Sequence, residues 1–395
     1  MTVPSLLRGL PLLEDLPPVE GRRILVRTDF NVPLTQDADG RTVVADDFRI
    51  RMALPTLTWL QERGAAVTAC SHLGRPAGEP DPRWAMDPVR ERLEALCPGV
   101  ALAENLRFSP GEKANDPAFV ARLVDGFDGY VNEAFGVAHR RHASVVGPPA
   151  HLPSAAGRCL AREVEVLGKL LDGPARPFVA VVGGSKVADK LGVLRALAER
   201  VDVLALGGAM AFTFLAAMGH HVGDSLVDPD RLEDCRKLLA SGATVLLPED
   251  SVALEPGATC CDGTGGVDDV VLGATKVVGR DMPDGWRGVD IGPETAAAFA
   301  GAIAGAGTVL WNGPLGVVED ERFAAGTRRV AQAVAACPGF TVVGGGDSAR
   351  ALDQLGLAER IDFVSTGGGA SLELVELGDL PGLAALRGAP NARRA

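Results

Sequence analysis

Residues 178–194 read FVAVVGGSKVADKLGVL. An apolar run, 178–182, ends at Gly183 and Gly184. Lys186 and Lys190 follow, and an amphipathic pattern then begins. The spacing predicts a strand, a tight turn and a helix. Glycine admits positive φ and lets the backbone approach a ligand closely. A helix start offers free N–H groups and the positive end of the dipole. Two lysines four apart on a helix share a face and repel unless an anion lies beside them. The chemistry this stretch could do is to hold a phosphate; a solvated basic helix start would share the pattern. The Walker A spacing G-x-x-x-x-G-K-[ST] is absent.

The first half carries a second series of candidate groups. A strand over 22–29 runs into Asp29, Phe30 and Asn31 and is stopped by Pro33. On their own, Asp29 and Asn31 read as a capped turn rather than a ligand site. Asp46 and Asp47 precede a helix that Gly64 closes, and Arg49 and Arg51 fall in its first turn. Cations at that end cost a few tenths to about 1 kcal/mol, which hints at function or at pairing with Asp46 or Asp47. A strand over 65–70 ends in Ser71, His72, Leu73, Gly74 and Arg75, and Asp87 with Pro88 reads as the cap of the next helix. Strands over 100–103 and 130–132 lead to Arg107 and to the run Glu133, His139, Arg140, Arg141, His142. In a parallel sheet the strand ends lie on one edge. Arg49, His72, Arg75, Arg107 and Arg140 therefore converge there and suit a polyanionic small molecule.

The elements that must position these groups follow from punctuation. A helix over 157–171 is followed by glycine and two prolines up to Pro177, which reads as a domain boundary. The second half repeats strand, glycine turn and helix at 183–184, 207–208, 313–316, 344–346 and 367–369. Residues 258–282, with Gly263, Gly265 and Gly266, read as irregular β structure. Right-handed crossovers make this second half a doubly wound sheet. Asp347 either caps the helix after the 344–346 turn or holds a divalent cation beside a phosphate. Beside Lys186 and Lys190, the second option points to a nucleotide with Mg²⁺. No G-x-G-x-x-G opens a βαβ unit with an acid about 20 residues on, and neither G-x-S-x-G nor H-E-x-x-H occurs.

Composition narrows the classes. A chain of 395 residues, 47% hydrophobic, is long enough for two cores. A net charge of −12 argues against a nucleic-acid or anionic-membrane surface. Seven scattered cysteines without C-x-x-C indicate a reducing cytoplasm and no structural zinc, with Cys260 and Cys261 as buried filler. Pro4, Arg8, Pro11, Glu14 and Asp15 interrupt any signal-peptide core at the start.

Ten stretches in order resemble the phosphoglycerate kinase family over about residues 20–385: RTDFNVP, SHLGRP, ENLRF, YVNEAFGVAHR, GGSKVADK, GGAMAFTFL, DIGPET, WNGP, GGGDS and STGGGASLEL. The resemblance implies an α/β chain of two Rossmann-like lobes, each a parallel sheet flanked by helices. The expected bounds are 1–155 for a phosphoglycerate-binding lobe, 156–177 for an inter-lobe helix and hinge, and 178–370 for a nucleotide-binding lobe. A tail, 371–395, is expected to fold back on the first. The implied substrate site is Asp29, Phe30, Asn31, Arg49, His72, Leu73, Gly74, Arg75, Arg107 and Arg140. The implied nucleotide site is Gly184, Lys186, Lys190, Gly208, Asn312, Glu319 (on the ribose), Gly345, Gly346, Asp347 and Ser348, with Asp347 on Mg²⁺. Arg49, Lys186, Gly345 and Gly368 are the expected catalytic set, and 366–368 are expected to contribute to closure. Departures from the family's usual residues are Thr28, Glu133, Val137, Arg141, Glu294, Phe363, Ser348 and the Pro248-Glu249-Asp250 run; none removes a charge assigned to catalysis.

The implied reaction passes a phosphoryl group between 1,3-bisphosphoglycerate and ADP, giving 3-phosphoglycerate and ATP. The accepting carboxylate is already ionised, so no general base is needed; positioning and charge neutralisation remain. A cytoplasmic monomer without nucleic-acid or membrane partners is expected, closing on its two ligands to exclude water. A non-catalytic nucleotide or phosphosugar binder on the same fold, and a dinucleotide enzyme, are the rival readings.

Overall fold

A computed structural model describes residues 5–259 and 273–391. Cys260, Cys261, Gly263, Gly265 and Gly266 lie outside the described residues. The chain divides into two compact units: residues up to Asp172 together with those from Gly369 onward, and residues 173–368.

The first unit holds β1 (Arg23–Arg27), β2 (Leu34–Gln36), β3 (Thr42–Val44), β4 (Ala66–Cys70), β5 (Ala101–Leu102), β6 (Gly129–Asn132) and β7 (Ser154–Ala156). Five of these form a parallel sheet in the order β5-β4-β1-β6-β7, and β2 pairs with β3 as a hairpin. Strand alternation splits the sheet's faces. Ile24, Val26, Val67, Ala69 and Val131 pack against Ile50, Leu57 and Leu60 of the helix Phe48–Glu62 and Val89 and Leu93 of the helix Asp87–Leu96. Arg27 lies in register with Cys70 and Asn132, and all three are fully buried.

The second unit holds β8 (Phe178–Val182), β9 (Val203–Leu206), β10 (Thr244–Leu246), β11 (Ser251–Leu254), β12 (Thr275–Val278), β13 (Arg287–Ile291), β14 (Thr308–Asn312), β15 (Phe340–Gly344) and β16 (Phe363–Val364). Its main sheet is parallel, in the order β10-β9-β8-β14-β15-β16. Every residue of β8 and β14 is buried, as in a sheet covered by helices on both faces.

The α/β class read from the sequence is the observed one, with local corrections. The hairpin β2–β3 and strands β7, β11 and β13 are additional; β12-β11-β13 form a separate antiparallel sheet. These strands are three to five residues long and lack a clear apolar alternation. The helix after Gly184 begins only at Leu191. Val187 is fully buried and its carbonyl accepts the Lys190 N–H at 3.0 Å, so a turn precedes the helix. Lys186 and Lys190 therefore do not share a helical face. The second helix takes Met86 as its N-cap, with Asp87 one position inside. The buried Met86 is pinned there by its N–H to Glu104 Oε1, 2.9 Å. No helix among the described residues is long and apolar enough to cross a membrane.

Candidate active site

In an open parallel sheet the crevice lies at the carboxyl edge, where the strand order reverses. In the first unit this point falls between β1 and β6. β1 delivers Asp29–Asn31 to it. Arg49, in the first turn of the helix Phe48–Glu62, donates to Asp29 Oδ2 at 2.5 Å. Arg51 instead takes Asp47, at 2.8 Å. The two cations at the unfavourable helix end thus have different partners, one structural and one at the sheet edge. Asn31 Oδ1 accepts the Gly74 N–H at 2.8 Å, and Arg107 donates to the Gly74 carbonyl at 2.8 Å. Gly74 has φ +61°, and a Cβ there would lie 2.1 Å from the Trp84 ring. Asn105 ties the same loop down through the Leu73 carbonyl at 2.8 Å. Arg75 and Arg140 are exposed, and their side chains have no hydrogen-bond or ion-pair partner among the described residues. Phe30 and Leu73 have fully buried side chains in the apolar core, and their N–H groups already donate to Ser71 Oγ at 2.8 Å and Asn105 Oδ1 at 3.3 Å, so they shape the edge without facing a ligand.

This edge is strongly basic. Burial, then Arg27, Arg107, Arg49 and His142, hold His72 well below the ordinary histidine range. Burial, Arg140 and His142 bring His139 down to about 4, against the opposing pull of Asp29. Burial and Arg27 also lower Arg107. Asp29 Oδ1, Arg107 Nε, His139 Nδ1 and His142 Nδ1 are buried without a hydrogen-bond partner. Such groups are costly unless something pairs with them. The arrangement suits a small anion that also bears a hydroxyl donor for Asp29.

In the second unit the order reverses between β8 and β14, at the Gly183–Gly184 and Asn312–Gly313 turns. Lys190 spans this point, donating to the Gly183 carbonyl at 2.5 Å and to Asn312 Oδ1 at 3.1 Å. Burial brings its pKa down to about 8, while Asp347 raises it. Lys186 is exposed in the preceding loop. The glycine turns are packed on one another. A Cβ on Gly208 would lie 2.7 Å from both the N and O of Gly184, and one on Gly368 would lie 2.5 Å from the Gly345 Cα. Gly345, at φ +101°, opens the helix Gly346–Gln354. Ser348 Oγ accepts the Gly313 N–H at 2.8 Å. Asp347 does not cap: its carboxylate accepts from Arg350 at 2.6 Å. Gly346 has nothing near its missing Cβ, and Glu319 is exposed without a partner among the described residues.

Buried polar groups escaped the sequence reading: Arg27, Glu112 and Ser144, linked in space under the first sheet. The signal for Arg27 was a charge closing an apolar strand; for Glu112 and Ser144 no local signal exists.

The sequence model of the phosphoglycerate kinase family matches residues 13–100 and 98–377. Phosphoglycerate kinases of Frankia casuarinae and Rubrobacter xylanophilus are each 48% identical over 93% of this chain, covering 98% and 96% of those proteins. The solved phosphoglycerate kinase of Coxiella burnetii superposes with a TM-score of 0.80 at 35% identity, covering 94% of this chain and 97% of that one. That of Pyrococcus horikoshii does so at 0.80 and 28%, covering 96% and 99%. The two parallel sheets, the basic edge and the glycine-turn edge are thus those of a chain that belongs to the phosphoglycerate kinase family.

Proposed function

We propose a division of labour for this family's reaction, the reversible transfer of a phosphoryl group between 1,3-bisphosphoglycerate and ADP, giving 3-phosphoglycerate and ATP. The first unit takes the glycerate. Asp29 and Asn31 receive its hydroxyl or carboxyl end, and His72, Arg75, Arg107 and Arg140 hold its anionic groups; the N–H groups of Phe30, Leu73 and Gly74 already donate to Ser71, Asn105 and Asn31. The second unit takes the nucleotide. N–H groups of 184 and 345–348 and Lys190 face the phosphates, Gly208 keeps the turn close-packed while its N–H donates to the Leu315 carbonyl, and Asn312 and Glu319 line the nucleoside side. Arg49 and Lys186, with the backbone at Gly345 and Gly368, neutralise the transferring group; closure of the units then brings both substrates to one place.

The supporting observation is local charge. Arg49, Arg107 and a neutral His72 gather around Asp29, with Arg27 and Arg140 beside them, and Asp29 keeps one unpartnered oxygen in a chain of net charge −12. No group of three or more His, Cys, Asp or Glu suited to a metal exists among the described residues. The exposed Asp347 carboxylate at the start of the helix Gly346–Gln354, now held by Arg350, is a hard oxygen donor that would serve as the protein ligand of Mg²⁺ carried by the nucleotide. When bound, the ion supplies charge neutralisation on the phosphates. We further propose a cytoplasmic monomer without nucleic-acid partners, in line with the acidic balance and the free cysteines described.

A coupled assay of ATP consumption with 3-phosphoglycerate tests the assignment. Arg49→Ala and Lys186→Ala are each expected to lower kcat by about 100-fold or more. Normal turnover in either removes that residue from the reaction.

A further inference from the structure

Beneath the first sheet lies a chain of polar contacts with no direct role in the scheme above. Glu112 is fully buried. Its Oε1 accepts the Ser144 hydroxyl at 2.6 Å and its Oε2 the Ser144 N–H at 2.9 Å. The same hydroxyl accepts from Arg27 Nε at 2.8 Å. Tyr130 donates to the Ser144 carbonyl at 2.7 Å, fixing the backbone that carries it. Arg27, also fully buried, donates through Nη1 to the Thr28 carbonyl and presents Nη2 to His72 Nδ1 at 3.3 Å. A serine hydroxyl has one proton to give; given to Glu112, it leaves only lone pairs for Arg27. A guanidinium has donors alone, so His72 Nδ1 must accept and the imidazole proton must sit on Nε2.

We propose that Glu112 and Ser144 are positioning residues for the transfer reaction: they hold Arg27 so that it locks His72 as a neutral imidazole protonated on Nε2. The charged and titratable groups around His72 are Arg27, Arg107, Arg49, His142 and Asp29, whose Oδ1 is 3.9 Å from Nδ1. Protonated Nδ1 would favour Asp29, but Arg27 occupies that nitrogen and three further cationic or basic groups oppose the charge. The consequence is a donor of fixed tautomer and fixed charge beside arginines that already supply the positive field. Glycerate binding then gains a hydrogen bond without a pH-dependent charge. The inference rests on the assignment of this edge to the glycerate substrate.

The test is ¹⁵N-histidine NMR of the full chain, read through the two-bond couplings that separate the tautomers, with His72 assigned by His72→Gln. In the ligand-free wild type, His72 is expected to show protonated Nε2 and bare Nδ1, and not to titrate from about pH 5.5 to 8. A protonated Nδ1, or titration within that window, overturns the lock whatever the variants do. In Ser144→Ala, and in Glu112→Gln should the first fail to fold, His72 is expected to populate both tautomers or to titrate. The KM for 3-phosphoglycerate should rise about five- to tenfold while that for ATP stays put. An unchanged His72 spectrum in a folded variant overturns the relay. The expected spectra with the KM effect falling on ATP instead overturn the substrate assignment and support the lock.

Discussion

Lys190 is the residue whose surroundings bear most directly on nucleotide binding. Its ammonium donates to two neighbours and is held by burial at a pKa of about 8. A polyphosphate brought to the adjacent turns favours the charged form and raises that pKa. At pH 8.5 nucleotide binding is therefore expected to take up about half to one proton. Calorimetry in buffers of differing ionisation enthalpy measures this uptake, which Lys190→Met should abolish; uptake surviving that change would assign the proton elsewhere. The polar groups gathered at the two sheet edges were mostly legible because they sit where a strand stops: Asp29, His72, Arg107 and Asn312 each lie at or within five residues of a strand end. Arg27, Glu112 and Ser144 were not, since their link spans separations of 117 and 32 residues and exists only once the sheet is formed.

Elements show which rules of sequence reading held. Glycine turns were placed well because their roles are steric, yet they serve two different ends. Gly208, at φ +69°, is pressed against the backbone of Gly184, whereas Gly346 has open space around its missing Cβ. Gly208→Ala is expected to lower stability on the order of 2 kcal/mol or more. Gly346→Ala should change it by less than about 0.5 kcal/mol yet raise the KM for ATP. Thermal melts and steady-state kinetics separate the two; equal melting effects would contradict the packing described. The start of the helix after Gly184 was misread because buried Val187 inserts a turn that periodicity cannot reveal.

The helix Arg158–Leu171 has a buried acid at its start. Glu133 accepts the Cys159 N–H at 3.1 Å, and a Cβ on Gly157 would collide with its carboxyl. Burial raises its pKa from 4.5 to about 8, against the helix-end N–H groups and the Thr56 hydroxyl that pull it down. An acid raised on folding binds more protons in the native state than in the unfolded one. Its stabilising effect is complete below the unfolded pKa and is lost as pH climbs through the folded one. Wild type is thus expected to lose on the order of 4 kcal/mol between pH 4.5 and 8 relative to Glu133→Gln. Denaturant titrations across that range measure the gap. A gap that stays constant with pH would mean Glu133 titrates normally.

At the scale of the whole molecule, the alternation of strand and helix foretold two parallel sheets, because each crossover leaves a periodic trace. The hairpin β2–β3 and strands β11 and β13 left none, being short and without a clear apolar alternation, whereas β12 falls within the 258–282 stretch read as irregular β structure. The proposed division of labour gives each unit one substrate. Arg140 and Glu319 probe it cleanly, since both are exposed and neither holds the fold together through a described partner. Steady-state kinetics of Arg140→Ala and Glu319→Ala, with both substrates varied, is the most direct test. Arg140→Ala is expected to raise the KM for 3-phosphoglycerate about tenfold with that for ATP unchanged, and Glu319→Ala to do the reverse. The opposite pattern, or ATP consumption that does not depend on 3-phosphoglycerate, would contradict the assignment.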